Sequence, residues 1–244
     1  MAGQDEAGSP WYFRQRQWLF GAIYGIGFFF GFLSAGFRGD VRATYHVLGD
    51  LVPALGSQGW LGIAVAVTFV GWVWRVWGSS YLSGEIVWSM DARAGSLNRA
   101  GPYRLTRNPL YFGNLLIALG IGAIGPPEAT AIIVLGNFAL DVLLIRHEEP
   151  ALAAAFGVAY DDYRRAVPAL FPRLWPARDA APEEPPARAS LREGLRSEVM
   201  TGGFFVAMVV GFLTQHPLSL YTGAIYIGGV VLNEWLQRPE VSPS

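Results

Sequence analysis

A cluster of polar side chains stands immediately before an apolar run in the middle of the chain. The stretch GPYRLTRNPLYFG, residues 101–113, carries Arg104 and Arg107 in one loop, followed by Asn108 and Pro109. Asparagine is a good helix N-cap and proline suits the first helical position, so we expect a helix to begin here. A helix N-terminus offers free N–H groups and partial positive charge. With two arginines beside it, this point predicts a site for a carboxylate or phosphate, although anchoring to lipid headgroups explains the arginines equally.

Two adjacent carboxylates form a second polar cluster. Glu148 and Glu149 follow directly after an apolar run, at the predicted C-terminal end of its helix. The helix macrodipole disfavours anions at that end, so we expect a cation or a hydroxyl group to lie next to them. Pairing with Arg104 or Arg107, or plain solvation, is the structural alternative.

Aromatic and apolar residues recur in the segment that follows Pro150. Their spacing places them on one face of a helix: Leu152, Phe156, Tyr160, Tyr163 and Val167. The pattern predicts a short amphipathic helix that lies along the membrane face. Such a helix would cover whatever lies between the two polar clusters.

Six apolar runs are long enough to cross ~30 Å of hydrocarbon. They cover residues 17–36, 59–79, 109–125, 127–146, 199–215 and 217–236. The composition agrees, since 52% of the residues are hydrophobic and only 15% are charged. We therefore predict an all-α, polytopic membrane helix bundle of about six transmembrane helices, with the short amphipathic helix on its cytoplasmic side.

The basic residues, all of them arginine, predict the orientation. With the N-terminus in the cytoplasm, every arginine except Arg38 and Arg42 lies in a cytoplasmic segment, as the positive-inside rule requires. Both termini and the polar loop are then cytoplasmic. The absence of cysteine and the three scattered histidines predict no metal site, and the net charge of -1 gives no indication of a nucleic-acid partner.

The chain is predicted to have three parts. Residues 1–175 form a four-span body, residues 176–198 form a linker rich in proline and charge, and residues 199–244 form a C-terminal transmembrane hairpin. In the first apolar run, the pairs Gly21/Gly25 and Gly27/Gly31 predict close helix packing, within the bundle or at a dimer seam.

Two charged residues fall inside predicted spans at matched depth. Arg75 and Asp141 each lie four or five residues from the cytoplasmic end of a span, or ~6 to 8 Å deep. A lone charge at that depth is costly, so a buried ion pair between Arg75 and Asp141 is predicted. In the alternative, Arg75 reaches lipid phosphates and Asp141 bonds a polar neighbour such as Asn137.

The two polar clusters together resemble a known superfamily. GPYRLTRNPLYFG followed by RHEEPALAAAFGVAYDDYRRAVPALFP is similar to the isoprenylcysteine carboxyl methyltransferases and phospholipid methyltransferases, which are integral membrane enzymes. The resemblance covers residues 85 to 175. One position departs from the family pattern, because Asn108 stands where the family has histidine. Asparagine keeps a hydrogen-bond donor but cannot change its charge near neutral pH.

The resemblance implies S-adenosylmethionine as cofactor and methyl transfer to a lipophilic acceptor, whether a prenylcysteine-like carboxylate, a lipid amine or a small thiol. It assigns the cofactor pocket to Tyr103, Arg104, Arg107, Asn108, Pro109, Tyr111, Glu148 and Glu149. Aromatic faces near the sulfonium are expected from Tyr111, Tyr160 and Tyr163. No catalytic base is assigned, because a carboxylate or thiolate acceptor needs none.

Two functions of other classes stay open. NADPH-dependent membrane reductases are similar at the R-x-P-x-Y element, but the paired glutamates, and the lack of a basic cluster suited to a 2′-phosphate, favour the methyl donor. A non-catalytic membrane binding or scaffold protein is the other alternative. The expected partners are membrane lipid and a lipophilic substrate, and the sequence does not indicate an oligomeric state.

Overall fold

Helices make up every regular element in the part of the chain that the structure describes. This computed structural model describes residues 10–82, 97–176 and 189–214, with Gly228 and Gly229. Its helices are α1 (Trp11–Arg14), α2 (Arg16–Arg38), α3 (Thr44–Leu51), α4 (Gly56–Ser79), α5 (Pro109–Gly122), α6 (Pro127–Phe156), α7 (Val158–Ala166), α8 (Leu191–Ser197) and α9 (Val199–Thr214), with a 3₁₀ turn at Gly101–Arg104. The predicted all-α fold is confirmed.

Three helices, α2, α4 and α6, are long and apolar enough to cross a membrane. Helices α8 and α9 pass the same test as a pair bent by 71°, and α5 is apolar but shorter. The first five predicted runs are each found as helices. Except for Gly228 and Gly229, the sixth run, residues 217–236, lies outside the described residues, so the number of spans stays a prediction. The chain is an integral membrane helix bundle.

The bundle is built on two helix pairs. Helix α4 packs along α5, helix α2 packs along α6, and α5 joins the two pairs through its contact with α6. Leu61, Ile117, Ile121 and Met208 form the core where α4, α5 and α9 meet. Because α2 and α6 are antiparallel, the start of α2 lies beside the later turns of α6, where the paired glutamates are. That end of the bundle carries the predicted site.

Small residues let α2 and α6 approach closely. A Cβ added at Gly31 would lie 2.5 Å from the Cβ of Ala129, and one added at Gly27 would lie 2.5 Å from Ile133 Cγ1. The predicted close packing is confirmed for this glycine pair as a contact within the bundle. Gly25, on the same helix, faces nothing within 4 Å.

Helix α6 does not end at the paired glutamates, so that prediction was wrong. The helix continues through Pro150 to Phe156, and Glu148 and Glu149 lie about two turns before its end. Proline removes one backbone hydrogen bond from a helix. The residues after it still gain apolar contacts, which is why the helix continues.

The predicted amphipathic stripe is confirmed, although two helices carry it. Gly157, with a φ of 51°, separates the last turns of α6 from α7. Tyr160, Tyr163 and Val167 are buried in one cluster, against which Leu152 and Phe156 pack. A left-handed φ costs little at glycine, so this residue can bend the chain while the apolar face stays continuous.

The end of the predicted linker is a packed helix. Helix α8 lies within residues 176–198, and Gly194 approaches α4 so closely that a Cβ there would lie 2.5 Å from the carbonyl oxygen of Val76. The Ser190 N–H donates to the carbonyl of Ser80 at 2.7 Å, and the Ser190 side chain caps α8. Residues 177–188 of the predicted linker lie outside the described residues.

We expect Gly31→Ala to lower the free energy of unfolding by about 1 to 3 kcal/mol, because the added methyl group forces α2 and α6 apart. Gly25→Ala is the matched control, since a Cβ there meets nothing within 4 Å and alanine favours the helix. Thermal unfolding of both variants in detergent, followed by circular dichroism, measures the difference. Equal midpoints for the two variants would contradict the packing of α2 on α6.

Candidate functional site

The polar loop that precedes α5 is held in place by α7 and by the chain that follows it. Tyr163 donates its hydroxyl to the carbonyl of Tyr103 at 2.7 Å, and the fully buried Thr106 donates to the carbonyl of Leu170 at 2.9 Å. These bonds join residues about sixty positions apart in the sequence, in the two motifs that resemble the methyltransferases. The two motifs therefore form one structural unit.

Arg107 is the centre of this unit. Its Nε donates to Glu149 Oε1 at 3.1 Å, its Nη2 donates to the same oxygen, and its Nη1 donates to the carbonyls of Val167 at 2.6 Å and Arg164 at 3.0 Å. The backbone N–H of Arg107 also donates to Pro168 at 2.9 Å. Pairing of a glutamate with an arginine, the structural alternative, is therefore confirmed for Glu149. The guanidinium has five N–H donors, so most of them are already committed to protein.

Asn108 occupies the N-cap position of α5, but its side chain does not cap the helix. Its Nδ2 donates instead to the carbonyl of Ala169 at 2.9 Å. The predicted capping bond was wrong because the loop packs against the chain after α7, which brings the backbone carbonyl of Ala169 within reach of the Asn108 amide. Pro109 is the first residue of α5, as predicted, and it is buried. The first turn of α5 is thus left without a side-chain cap.

Glu148 faces α5 and meets Tyr111, which donates its hydroxyl to Oε1 at 2.8 Å. The prediction that a hydroxyl or a cation lies beside the glutamates is confirmed for this contact. Arg16, at the start of α2, lies close enough to act on the Glu148 carboxylate electrostatically. Among the described residues, Tyr111 is the one side chain that hydrogen-bonds Glu148. The second carboxylate oxygen of Glu148 can therefore accept a hydrogen bond from a ligand.

Tyr160 and Tyr163 form a buried aromatic pair next to the loop. Both rings are almost completely buried, and they pack edge to face with centroids 6.2 Å apart. Burial raises the pKa of Tyr160 to about 12 and holds the pKa of Tyr163 and Tyr103 well above the ordinary value. These hydroxyls therefore stay protonated at neutral pH. Arg104 is exposed at the end of the 3₁₀ turn.

A buried ion pair is present, but the predicted partner of Arg75 was wrong. Arg75 binds Glu198 through Nε at 2.6 Å and through Nη2 at 2.9 Å. Glu198 is completely buried at the bend between α8 and α9, where Ser79 and Thr201 also donate to its carboxylate, at 2.7 and 2.6 Å. Matched depth predicts that a charge needs a partner, but it does not tell which helix faces Arg75.

Asn114 stands between Arg75 and Asp141. Arg75 Nη1 donates to Asn114 Oδ1 at 2.5 Å, and Asn114 Nδ2 lies 3.5 Å from Asp141 Oδ1. Asp141 is completely buried, and among the described residues its Oδ2 has no hydrogen-bond partner. Asn137, the predicted alternative neighbour, donates to the carbonyl of Ile133. The two charges are thus in one cluster without forming a direct pair.

Two residues of this region were missed from the sequence. Glu198 directly precedes an apolar run, and a carboxylate in that position is a signal that could have identified it. Thr106 lies within the polar loop, but a single threonine in a loop carries no signal for a role in joining two segments. Both are completely buried.

The region that holds the site matches a known protein family. Residues 57–159 match the family described as phospholipid methyltransferase. The predicted resemblance is therefore confirmed for this region, which is similar to a phospholipid methyltransferase domain. The matched region runs from α4 to the start of α7 and includes the polar loop and both glutamates. No solved structure matches the chain.

Three curated relatives are similar to parts of the chain. The cobalt-zinc-cadmium resistance protein CzcN of Cupriavidus metallidurans is 38% identical over 123 residues, which are 50% of this chain and 51% of the relative. The nickel-cobalt-cadmium resistance protein NccN of Alcaligenes xylosoxydans is 36% identical over 122 residues, again 50% and 51%. Methanethiol S-methyltransferase 2 of Bradyrhizobium diazoefficiens is 39% identical over 79 residues, 31% of this chain and 29% of the relative. The chain thus spans about half the length of the two resistance proteins.

The resistance relatives are named for metal ions. Within the described ranges, no group of three or more histidine, aspartate or glutamate residues could hold a metal ion. The names of these relatives therefore have no counterpart in a metal site among the described residues.

A double-mutant cycle tests the buried ion pair. Glu198→Gln should destabilise the protein by about 3 to 5 kcal/mol because it leaves a buried cation without its partner, and the double variant Arg75→Gln/Glu198→Gln should recover part of that loss. The matched control is the cycle of Arg75→Gln with Asp141→Asn, whose coupling should be smaller since Asn114 separates the two. Free energies of unfolding in detergent give both couplings. Additive effects of Arg75→Gln and Glu198→Gln would contradict the pair.

Proposed function

We propose that this chain is an S-adenosylmethionine-dependent membrane methyltransferase that transfers a methyl group to a lipophilic acceptor. The observation that carries the proposal is the hydrogen bond of Tyr111 to Glu148, beside the loop that Arg107 holds in place. This contact lies inside the region that matches the methyltransferase family. A similar protein is named a methanethiol S-methyltransferase, which supports the same reaction class. The arginine distribution supports a cytoplasmic position for both termini and for the site.

The residues at the site fit the chemical groups of the cofactor. The carboxylate of Glu148 can accept hydrogen bonds from an ammonium group or from ribose hydroxyls. The first turn of α5, which lacks a side-chain cap, offers N–H groups to a carboxylate, and Arg104 is exposed nearby. Tyr111 can present its ring to a cation.

The other predicted cofactor residues act by positioning. Arg107 and Glu149 hold each other and the end of α7, while Asn108 fixes the entry of α5 through Ala169. Tyr163 supports the loop through its hydrogen bond to the carbonyl of Tyr103, and Tyr160 packs against Tyr163. Together these residues keep the loop before α5 and the Glu148 turn of α6 at a constant separation.

When bound, S-adenosylmethionine supplies a methyl group on a positively charged sulfur. The protein must hold the acceptor in line with the bond that breaks, and positioning of this kind can contribute ~7 to 11 kcal/mol to lowering a barrier. The acceptors to be compared are a prenylcysteine-like carboxylate, a lipid amine and a small hydrophobic thiol. Transfer of label from methyl-labelled cofactor to a prenylcysteine analogue, a lipid extract and such a thiol tests the proposal. Labelling of none of them would contradict it.

The two adjacent glutamates should respond differently to the same substitution. Glu148→Gln should weaken binding of S-adenosylhomocysteine by about 1.5 to 3 kcal/mol with little loss of stability, because a charged hydrogen bond to the ligand is lost. Glu149→Gln should instead lower the free energy of unfolding by about 1 to 3 kcal/mol, because Arg107 loses its anion. Glu193→Gln, in α8 and away from the site, is the control. Equal and negligible effects at both positions would show that neither glutamate has its proposed role.

A further inference from the structure

Asp141 is a buried carboxyl group that the fold leaves unsatisfied. It lies in α6, seven residues before Glu148 and hence on nearly the same face, about 10 Å away along the helix axis. Its side chain is completely buried, Oδ2 has no partner, and the Oδ1 contact with Asn114 is long, at 3.5 Å. Ionisable residues inside a membrane span usually have a partner or a function. The described structure supplies no partner for Oδ2.

Arg75 cannot serve as the counter-ion of Asp141 because Glu198 already neutralises it. Two of its nitrogens bind the Glu198 carboxylate, and the third donates to Asn114 Oδ1. Arginine has donors only, so the oxygen of the Asn114 amide must face Arg75 and its nitrogen must face Asp141. Glu198 lies outside the matched family region, which ends at residue 159. This chain thus binds its intramembrane cation with a residue from its C-terminal part and leaves the aspartate available.

The groups that face Asp141 define its electrostatic environment. Glu148 on its own helix and Arg75 on α4 act on it directly, and Glu198 lies beyond Arg75. From α5, Asn114 contacts it and Tyr111 lies within electrostatic range. On the α2 side, Arg16 acts on Glu148, one layer closer to the membrane surface. The one cation in the layer of Asp141 among the described residues is therefore the arginine already paired with Glu198.

We propose that Asp141 is the proton acceptor for a methyl acceptor that carries a proton on its nucleophilic atom, a thiol or an amine. This inference rests on the proposed function. The acceptor's sulfur or nitrogen forms a bond to the methyl carbon as the bond from that carbon to the sulfonium breaks, with its electrons remaining on the cofactor sulfur. The acceptor proton passes to Oδ2 of Asp141 in its ionised, carboxylate form, which becomes a neutral carboxylic acid and releases the proton after the product leaves.

The same geometry argues against a carboxylate acceptor. A carboxylate has no proton to lose, so its methylation makes no use of a proton acceptor. A thiol or amine offers a donor to the unsatisfied Oδ2. The site is therefore assigned to acceptors such as a small hydrophobic thiol or an amine-headed lipid, and a prenylcysteine carboxylate is disfavoured.

The test compares Asp141→Asn with wild-type protein on a small hydrophobic thiol, an amine-headed lipid and a prenylcysteine analogue. For the thiol at pH 7, the transfer rate should fall about 10²- to 10⁴-fold, as expected for loss of a proton acceptor. The affinity for S-adenosylhomocysteine should not change. The rate of the variant should recover as the pH rises through the pKa of the chosen thiol, because a thiolate needs no proton acceptor. Glu128→Gln, the same change at the other end of α6, should leave all rates unchanged.

Equal rates for Asp141→Asn and wild-type protein on both thiol and amine would overturn the inference, as would wild-type protein that methylates only the prenylcysteine analogue. That acceptor preference is measured on the wild-type protein, so it decides the question even if the variant does not fold. Failure of the wild-type protein to bind S-adenosylhomocysteine or to label any acceptor would overturn the proposed function itself. Intact binding and labelling with an inert Asp141 would overturn this inference alone.

Discussion

The site depends on the hydrogen bonds by which Arg107 joins three parts of the chain, its own loop included. Its guanidinium joins the loop before α5 to Glu149 on α6 and to the backbone at the end of α7. Because the Arg107 side chain is only 9% exposed, these bonds form in a largely dry environment, where an unpaired charge is costly. The bonds therefore set the separation between the start of α5 and the Glu148 turn of α6, which is where a ligand would bind.

Two buried carboxylates beneath the loop differ in the number of hydrogen bonds that they accept. Glu198 accepts bonds from Arg75, Ser79 and Thr201 and fixes the bend between α8 and α9 to α4. Asp141 receives one long contact from an amide. A fully bonded buried charge stabilises a particular packing, whereas an unsatisfied one is costly to the fold and indicates chemistry. The first therefore has a structural role in this bundle, and the second is the group for which we propose a function.

The sequence predicted those features that depend on local pattern or on composition. Helix spans, the start of α5 at Pro109 and the buried face of Tyr160 and Tyr163 all follow from residue spacing and capping preferences. Contacts that join distant segments were predicted less well. Asn108 was expected to cap α5, but the carbonyl of Ala169, sixty-one residues later, takes its amide.

The partner of Arg75 shows why such contacts escape prediction. Depth along a span can be counted in residues, and it correctly indicated that Arg75 needs an anion. The rotation of each helix about its axis depends on packing with all the others, including α8 and α9. The anion that binds Arg75 is the side chain of Glu198, which is 123 residues away in the sequence. Similarly, the continuation of α6 through Pro150 depends on contacts with α7 that a local helix-breaking rule does not include.

The central claim is that Arg107 holds the loop before α5 and the Glu148 turn of α6 in the arrangement that binds S-adenosylmethionine. Calorimetric titration of S-adenosylhomocysteine into the detergent-purified wild-type protein and into Arg107→Lys tests it most directly. Lysine keeps the charge but cannot make the forked set of bonds. We expect saturable binding by the wild-type protein, and binding at least about tenfold weaker by a variant whose helix content is unchanged, or a loss of about 1.4 kcal/mol or more. Binding of NADPH but not of S-adenosylhomocysteine by the wild-type protein, or equal affinities of the two proteins for S-adenosylhomocysteine, would contradict the claim.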